Sequence, residues 1–150
     1  MSDKYIPAEM RRLVQQRARG LCEYCRSQQR FSPQPFSVEH IKPRAAGGPT
    51  TLDNLAFSCQ GCNGHKYTKE MARDPITGSL VPLFNPRTQG WREHFAWNDG
   101  ATLIIGLTPT GRATVETLQM NRQELINLRE VLYAAQQHPP TEPNGEEAIF

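Results

Sequence analysis

The chain has 150 residues, enough for one domain or one domain with an appendage, and only 37% of them are apolar, with twelve prolines. No apolar run approaches the ~20 residues that cross a bilayer, and the opening MSDKYIPAEMRR lacks the apolar core of a secretion signal, so a cytoplasmic protein with reduced thiols is expected. The net charge of +2 conceals an asymmetry: residues 1–69 carry 11 Lys/Arg against 5 Asp/Glu, a net of +6, and residues 70–150 carry 6 against 10, a net of −4. The basic half suits a polyanionic partner.

In chain order, Ile6 to Gly20 reads as a helix. Pro7 suits a first helical position, Met10, Leu13, Val14 and Ala18 keep roughly a 3.6-residue period, and Gly20 suits the C-terminal cap. Arg11, Arg12, Arg17 and Arg19 decorate the rest of that helix, and residues 26–36 read as a loop. Phe36 to Ile41 predicts a short strand, Gly47-Gly48-Pro49 a turn, and Thr51 to Leu55 a further turn before Ala56-Phe57-Ser58. A helix from Asn63 to about Arg73, stopping before Asp74-Pro75, completes a ββα unit. Beyond a hairpin-like turn at 74–78 and an extended stretch at 81–86, three strand candidates, Glu93–Trp97, Thr102–Leu107 and Ala113–Leu118, read as a β-meander. Asn121 is expected to cap a final helix whose Leu125, Leu128, Leu132 and Ala135 share a face, and the segment after His138 reads as a disordered tail. The fold class is therefore α+β. Its organisation is a core over 1–73, a meander and helix over 74–137 packed on it, and a tail over 138–150.

Cysteine chemistry gives the first functional signal. Cys22 and Cys25 form one C-x-x-C and Cys59 and Cys62 a second, separated by 33 residues. Each pair can place two sulfurs about 2.3 Å from one tetrahedral Zn²⁺, and four thiolates close the shell. A closed site has no open position for substrate, so this zinc is expected to be structural, a staple for a thin core.

Between the two pairs sits a second set of polar residues. Glu39 and His40 are adjacent, so in a strand their side chains leave on opposite faces and serve different tasks. A carboxylate can bind a hard divalent cation, and a neutral imidazole can take a proton from water near pH 7. Cation and base together meet the needs of phosphodiester hydrolysis, and an amide such as Asn54 can hold a loop or ring without adding charge.

The run E-H-I-x-P-x-x-x-G-G, then L-D-N-L, then C-x-x-C-N-x-x-K, resembles the HNH endonucleases of the ββα-metal class, in the branch whose paired C-x-x-C motifs bind structural zinc. The resemblance covers about residues 22–69. It implies His40 as general base, Glu39 as a metal ligand, Asn54 as the residue orienting the base and its loop, and Asn63, nine residues on, as the second ligand. The acidic position is more often Asp in that family, and Glu39 reaches one methylene further. Asn63 stands where other members carry His, and an amide ligand favours Mg²⁺ or Mn²⁺, with Ni²⁺ or Zn²⁺ as alternatives. His65, two residues beyond Asn63, diverges from it on a helix, so a packing or phosphate role is expected before a metal role. Lys42, Arg44, Lys66 and Lys69 would ring the site and neutralise backbone phosphates without reading sequence.

The resulting expectation is a divalent-metal-dependent HNH endonuclease hydrolysing DNA. The rivals are a zinc-knuckle nucleic-acid-binding module without catalysis and a protein-interaction adaptor on the same scaffold. Trp91, Phe95 and Trp97 read as core rather than as a base-stacking platform, and His94 as structural. The C-terminal half is expected to pack on the core, with a wall of the cleft or a dimer surface as the alternatives.

Overall fold

The N-terminal periodicity becomes a helix, α1 (Ala8–Ala18), in the computed structural model, which describes residues 6–143. Pro7 precedes its first turn as the N-cap, and Arg19, in the left-handed region at φ 53°, ends it. Val14 and Ala18 are buried against the sheet below. That sheet is a two-stranded antiparallel ribbon, β1 (Ser37–His40) and β2 (Leu55–Ser58), paired so that Glu39 lies opposite Ala56 and His40 opposite Leu55. The helix α2 (Gln60–Lys66) follows directly, its first turn capped by the Cys59 sulfur, which accepts from the Cys62 N–H. The order β1, β2, α2 is the expected ββα unit.

α2 is shorter than expected. Tyr67, at φ 49°, closes it, and residues expected in the same helix instead form β3 (Met71–Arg73), paired with β4 (Leu80–Pro82). The reason is the turn between them. Asp74 accepts from the Ile76 and Thr77 backbone N–H groups and the Thr77 hydroxyl, and takes both prongs of Arg112 at 2.8 and 2.9 Å. A turn so fully bonded fixes a hairpin, and the ladder wins over local helix propensity.

The expected meander is reduced to one hairpin. A short helix, α3 (Trp91–His94), takes part of the first strand candidate before β5 (Phe95–Trp97), which pairs with β6 (Ile104–Gly106). The third candidate, Ala113–Leu118, is helical and lies within or just beyond α4 (Pro109–Thr117). Pro109-Thr110-Gly111, between the second and third strand candidates, is a helix start rather than a turn: Thr108 caps the Gly111 N–H at 2.9 Å and Pro109 takes the first helical position. Two glycines then let α4 lie flush on β6. A Cβ on Gly111 would sit 2.1 Å from the His94 carbonyl oxygen, and one on Gly106 2.5 Å from the Arg112 nitrogen.

The last helix, α5 (Gln123–Ala134), has Arg122 as its N-cap, without a side-chain cap. Asn121, expected to cap it, instead bonds both the N–H and the carbonyl of Ile104, pinning β6 to the start of α5. On the expected apolar face Leu125 is buried, Leu128 and Leu132 are half-buried and Ala135 is exposed. Arg129 is buried beside Leu125, its guanidinium bonded to the carbonyls of Thr102 and Met120 and 5.2 Å from the Trp97 ring centroid.

The segment from 138 is not a loose tail through its described part. His138 is buried against Trp97 and bonds the Ala101 carbonyl at 2.9 Å, and the Glu142 carboxylate grips buried Arg26 at 2.7 to 3.1 Å. Residues 144–150 of the expected tail lie outside the described residues. Trp91, Phe95 and Trp97 are core, as expected, and Trp91 Nε1 donates to the Tyr24 carbonyl at 2.8 Å. Among the described residues, no helix is long and apolar enough to cross a membrane.

Candidate metal centre and nuclease site

Four free cysteines meet at one point. Cys22 and Cys25 lie just after α1, and Cys59 and Cys62 bracket the start of α2. The ligand atoms of all four are within 4.8 Å of one another, and all four residues are buried. Each C-x-x-C closes the same way, with the Cys25 N–H donating to Cys22 Sγ and the Cys62 N–H to Cys59 Sγ, both at 3.4 Å. Four sulfurs around one zinc at 2.3 Å would stand about 3.8 Å apart. The tetrad fits that spacing, with 3.6 Å between Cys25 Sγ and Cys59 Sγ.

Thiolate charge needs balancing when it is buried, and the C-terminal half supplies the balance. Arg122 points its guanidinium at Cys59 Sγ, 3.6 Å away, and Cys62 Sγ, 3.9 Å away, while bonding the Leu118 and Gln119 carbonyls. Burial works against the charge on Arg122, but the surrounding cysteine thiolates outweigh it and hold its pKa above the ordinary value. Gly61 makes room: a Cβ there would lie 2.5 Å from the Arg122 Cζ. Nothing in the sequence links Arg122 to cysteines 60 positions earlier.

His40 sits in the last position of β1 and is 8% exposed. Its Nε2 is 2.8 Å from the Thr50 hydroxyl. Thr50, missed in the sequence, is thus a side chain that contacts the ring. Asn54, expected to orient both the base and its loop, bonds the loop. Its Oδ1 accepts from the Lys42 N–H at 2.9 Å, and its Nδ2 donates to the Lys42 carbonyl at 3.1 Å and the Pro49 carbonyl at 2.9 Å. Residues 42–50 are thereby closed into a ring that delivers Thr50 to His40. Gly48 permits the closure, since a Cβ on it would collide with the Lys42 carbonyl oxygen at 1.8 Å.

Glu39 leaves β1 on the opposite face and is 7% exposed. One carboxylate oxygen accepts from the Tyr24 hydroxyl at 2.5 Å and the other from the Lys66 ammonium at 3.1 Å. Burial raises the Glu39 pKa, partly offset by Lys66 and the Tyr24 hydrogen bond, while burial and the Glu39 charge push the Tyr24 phenol well up. Lys66 is only 2% exposed and also donates to the His40 and Ile41 carbonyls. The expectation that Lys66 contacts phosphate is corrected on that ground: its three donors brace α2 against β1.

Asn63 is half-buried in α2, one turn before Lys66. His65 is exposed. Lys42, Arg44 and Lys69 are exposed on the same unit, with Lys69 reaching back to the His65 carbonyl at 3.1 Å.

Residues 22–69 match the family model described as HNH endonuclease. No curated protein and no solved structure matches the chain. The match begins at Cys22 and ends at Lys69, so it contains all four cysteines, Glu39, His40, Asn54 and Asn63. The matched segment, about a third of the chain, is similar to the HNH endonucleases, and it lies in an α+β fold whose four clustered cysteines are placed to hold a metal ion.

Proposed function

We propose that the protein is a divalent-metal-dependent endonuclease that hydrolyses DNA phosphodiester bonds, with zinc in the cysteine tetrad. The observation that carries this reading is His40 held by Thr50 at the end of β1, beside a loop clamped three times by Asn54. A module that only binds nucleic acid, or an adaptor, has no use for an oriented imidazole.

His40 is the general base. In the tautomer whose Nε2–H donates to Thr50 Oγ1, Nδ1 is the nitrogen that takes the proton from the attacking water. Asn54 acts one step removed, by fixing the backbone of Lys42 and Pro49, at the two ends of the loop that leads into Thr50. Glu39 on β1 and Asn63 on α2 would hold a hard cation, with the ion replacing the Tyr24 or Lys66 contact on the Glu39 carboxylate. Such an ion takes one or two protein carboxylates and completes its shell with water and substrate phosphate, and these residues supply one carboxylate and one amide oxygen. A cation held there would supply positive charge beside the scissile phosphate and its leaving oxygen. Lys66 lowers the cost of burying Glu39 as a carboxylate. Lys42, Arg44 and Lys69 position the phosphate backbone.

The test is nicking of supercoiled plasmid with Mg²⁺, Mn²⁺ or Ni²⁺ beside His40→Ala. Equal cleavage by both proteins, or none by the parent with any ion, sinks the reading, and binding without cleavage would favour the knuckle-module alternative.

A further inference from the structure

The exposed side of α1 carries a feature that the nuclease site does not use. Arg12, Gln15, Gln16 and Arg19 fall at i, i+3, i+4 and i+7, one face of the helix, turned away from buried Val14 and Ala18. Across from this face stands the loop that closes the first cysteine pair. It is joined to the end of α1 by the Leu21–Gln28 bridge and by the Gln29 N–H donating to the Gly20 carbonyl at 2.9 Å. Between them runs a groove of about 580 Å³ with Arg30 on its far wall.

The chemistry of the groove is one-sided. Three arginines and four glutamines line it, and no carboxylate does. Arg30 is held extended, its guanidinium stacked 4.6 Å over the Phe31 ring and bonded to the Gln28 and Gln137 amides. Arg12 shares an exposed ion pair with Glu9, the kind worth little in water and readily exchanged for another anion. Arg19 is exposed and has no side-chain hydrogen bond or ion pair among the described residues. Forked cationic donors interleaved with amides match a run of phosphodiesters: guanidinium pairs with phosphate bidentately, and the amides bond phosphate or sugar oxygens.

We propose that this groove is a second nucleic-acid contact surface, which grips the phosphate backbone of the DNA away from the cleaved bond. It rests on the reading of the chain as a DNA hydrolase and adds to it a site outside the nuclease motif. α1 is rigidly coupled to the site, because Arg17 on a neighbouring face donates to the Leu52 and Leu55 carbonyls that frame Asn54. The groove sets affinity, and the His40 loop sets the chemical step.

The experiment is fluorescence anisotropy with a duplex DNA in Mg²⁺-free buffer, using the parent, Arg19→Glu/Arg30→Glu and Arg19→Lys/Arg30→Lys. Far-ultraviolet dichroism and zinc content check the fold. Each phosphate contact contributes about 0.9 to the slope of log affinity against log salt, so the Glu variant should bind about tenfold or more weakly with a slope shallower by about 2. The Lys variant should keep most of both. Plasmid cleavage by the Glu variant should show a raised KM with kcat unchanged. As control, Arg73→Glu, an exposed reversal on the β3 hairpin, is compared with Arg19→Glu alone. Unchanged affinity and slope in the double variant overturn the proposal, as does an equal loss in Arg73→Glu, which would mean net charge alone. A groove serving a protein partner would give that first result. Failure of the parent itself to bind or cut DNA defeats the nuclease reading as well, and that arm stands apart from the variants.

Discussion

Replacing Lys66 with Met, Glu39 with Gln, and both together separates an internal brace from a surface phosphate contact. The pair is buried, 2% and 7% exposed, with nitrogen and oxygen 3.1 Å apart. Removing either partner leaves a buried charge unmatched, which costs about 3–5 kcal/mol, and for a chain of this length each kcal/mol lowers Tm by about 2–4 °C. Each single variant should therefore melt roughly 10 °C or more below the parent. The double variant buries no uncompensated charge. Its remaining loss is the pair of hydrogen bonds from Lys66 to the His40 and Ile41 carbonyls, about 1 kcal/mol each. It should sit only about 2–3 kcal/mol below the parent, with a coupling energy of about 3–8 kcal/mol from the sum of the singles less the double. The assay is urea unfolding at fixed zinc and without other divalent ions, comparing midpoints at constant m. Additive single effects, or singles within about 0.5 kcal/mol of the parent as for ordinary surface positions, would refute the internal brace and return Lys66 to the surface.

The remaining predictions concern the ring, the metal centre and acid stability. Thr50→Val should lower plasmid cleavage by about tenfold or more without changing DNA affinity, because it removes the hydroxyl that fixes the His40 ring; a parental rate would remove Thr50 from the site. Gly61→Ala should push the Arg122 guanidinium off the sulfurs. Since partners just outside a metal's ligand shell are typically worth 10–100-fold in affinity, zinc transfer to a chromogenic chelator should favour the chelator by about that factor, and Arg122→Ala should match it. Asp74 has its pKa held well below the ordinary carboxylate value, first by the Arg112 pair and then, against burial, by the Thr77 and backbone hydrogen bonds. A depressed folded pKa contributes stability that is present above the unfolded value of about 3.9 and is lost as pH falls through the folded one. Asp74→Asn should therefore flatten the acid limb of a stability-versus-pH curve below about pH 4, and an unchanged limb would place the acid-sensitive group elsewhere.

Much of this molecule was legible from short-range chemistry. The twin C-x-x-C spacing determined a four-sulfur site by itself, because two thiolates three positions apart can reach one ion whatever surrounds them. Glu39-His40, Asn54 and Asn63 stood out as polar residues at fixed offsets, and the ββα order followed from alternating apolar positions and turn residues. Local signals misled where two readings competed on equal terms. Thr-Pro-Thr-Gly opens either a turn or a helix, and only the close seat of Gly111 against His94 decided for α4. Residues 71–73 fit a helix until the Asp74 turn, clamped by Arg112 from 38 positions away, set a hairpin.

The tertiary structure decided the partners. Tyr24 against Glu39, Thr50 against His40 and Arg122 against the cysteines are contacts between residues 10 to 63 positions apart. None has a sequence period to reveal it, because a side-chain hydrogen bond depends on where two backbones happen to pass. The same limit applied to Lys66. Spacing placed it one turn after Asn63, but whether that face of α2 looked to solvent or to β1 depended on how the helix docked. Docked inward, a lysine read as a hand for phosphate became a buried cross-brace.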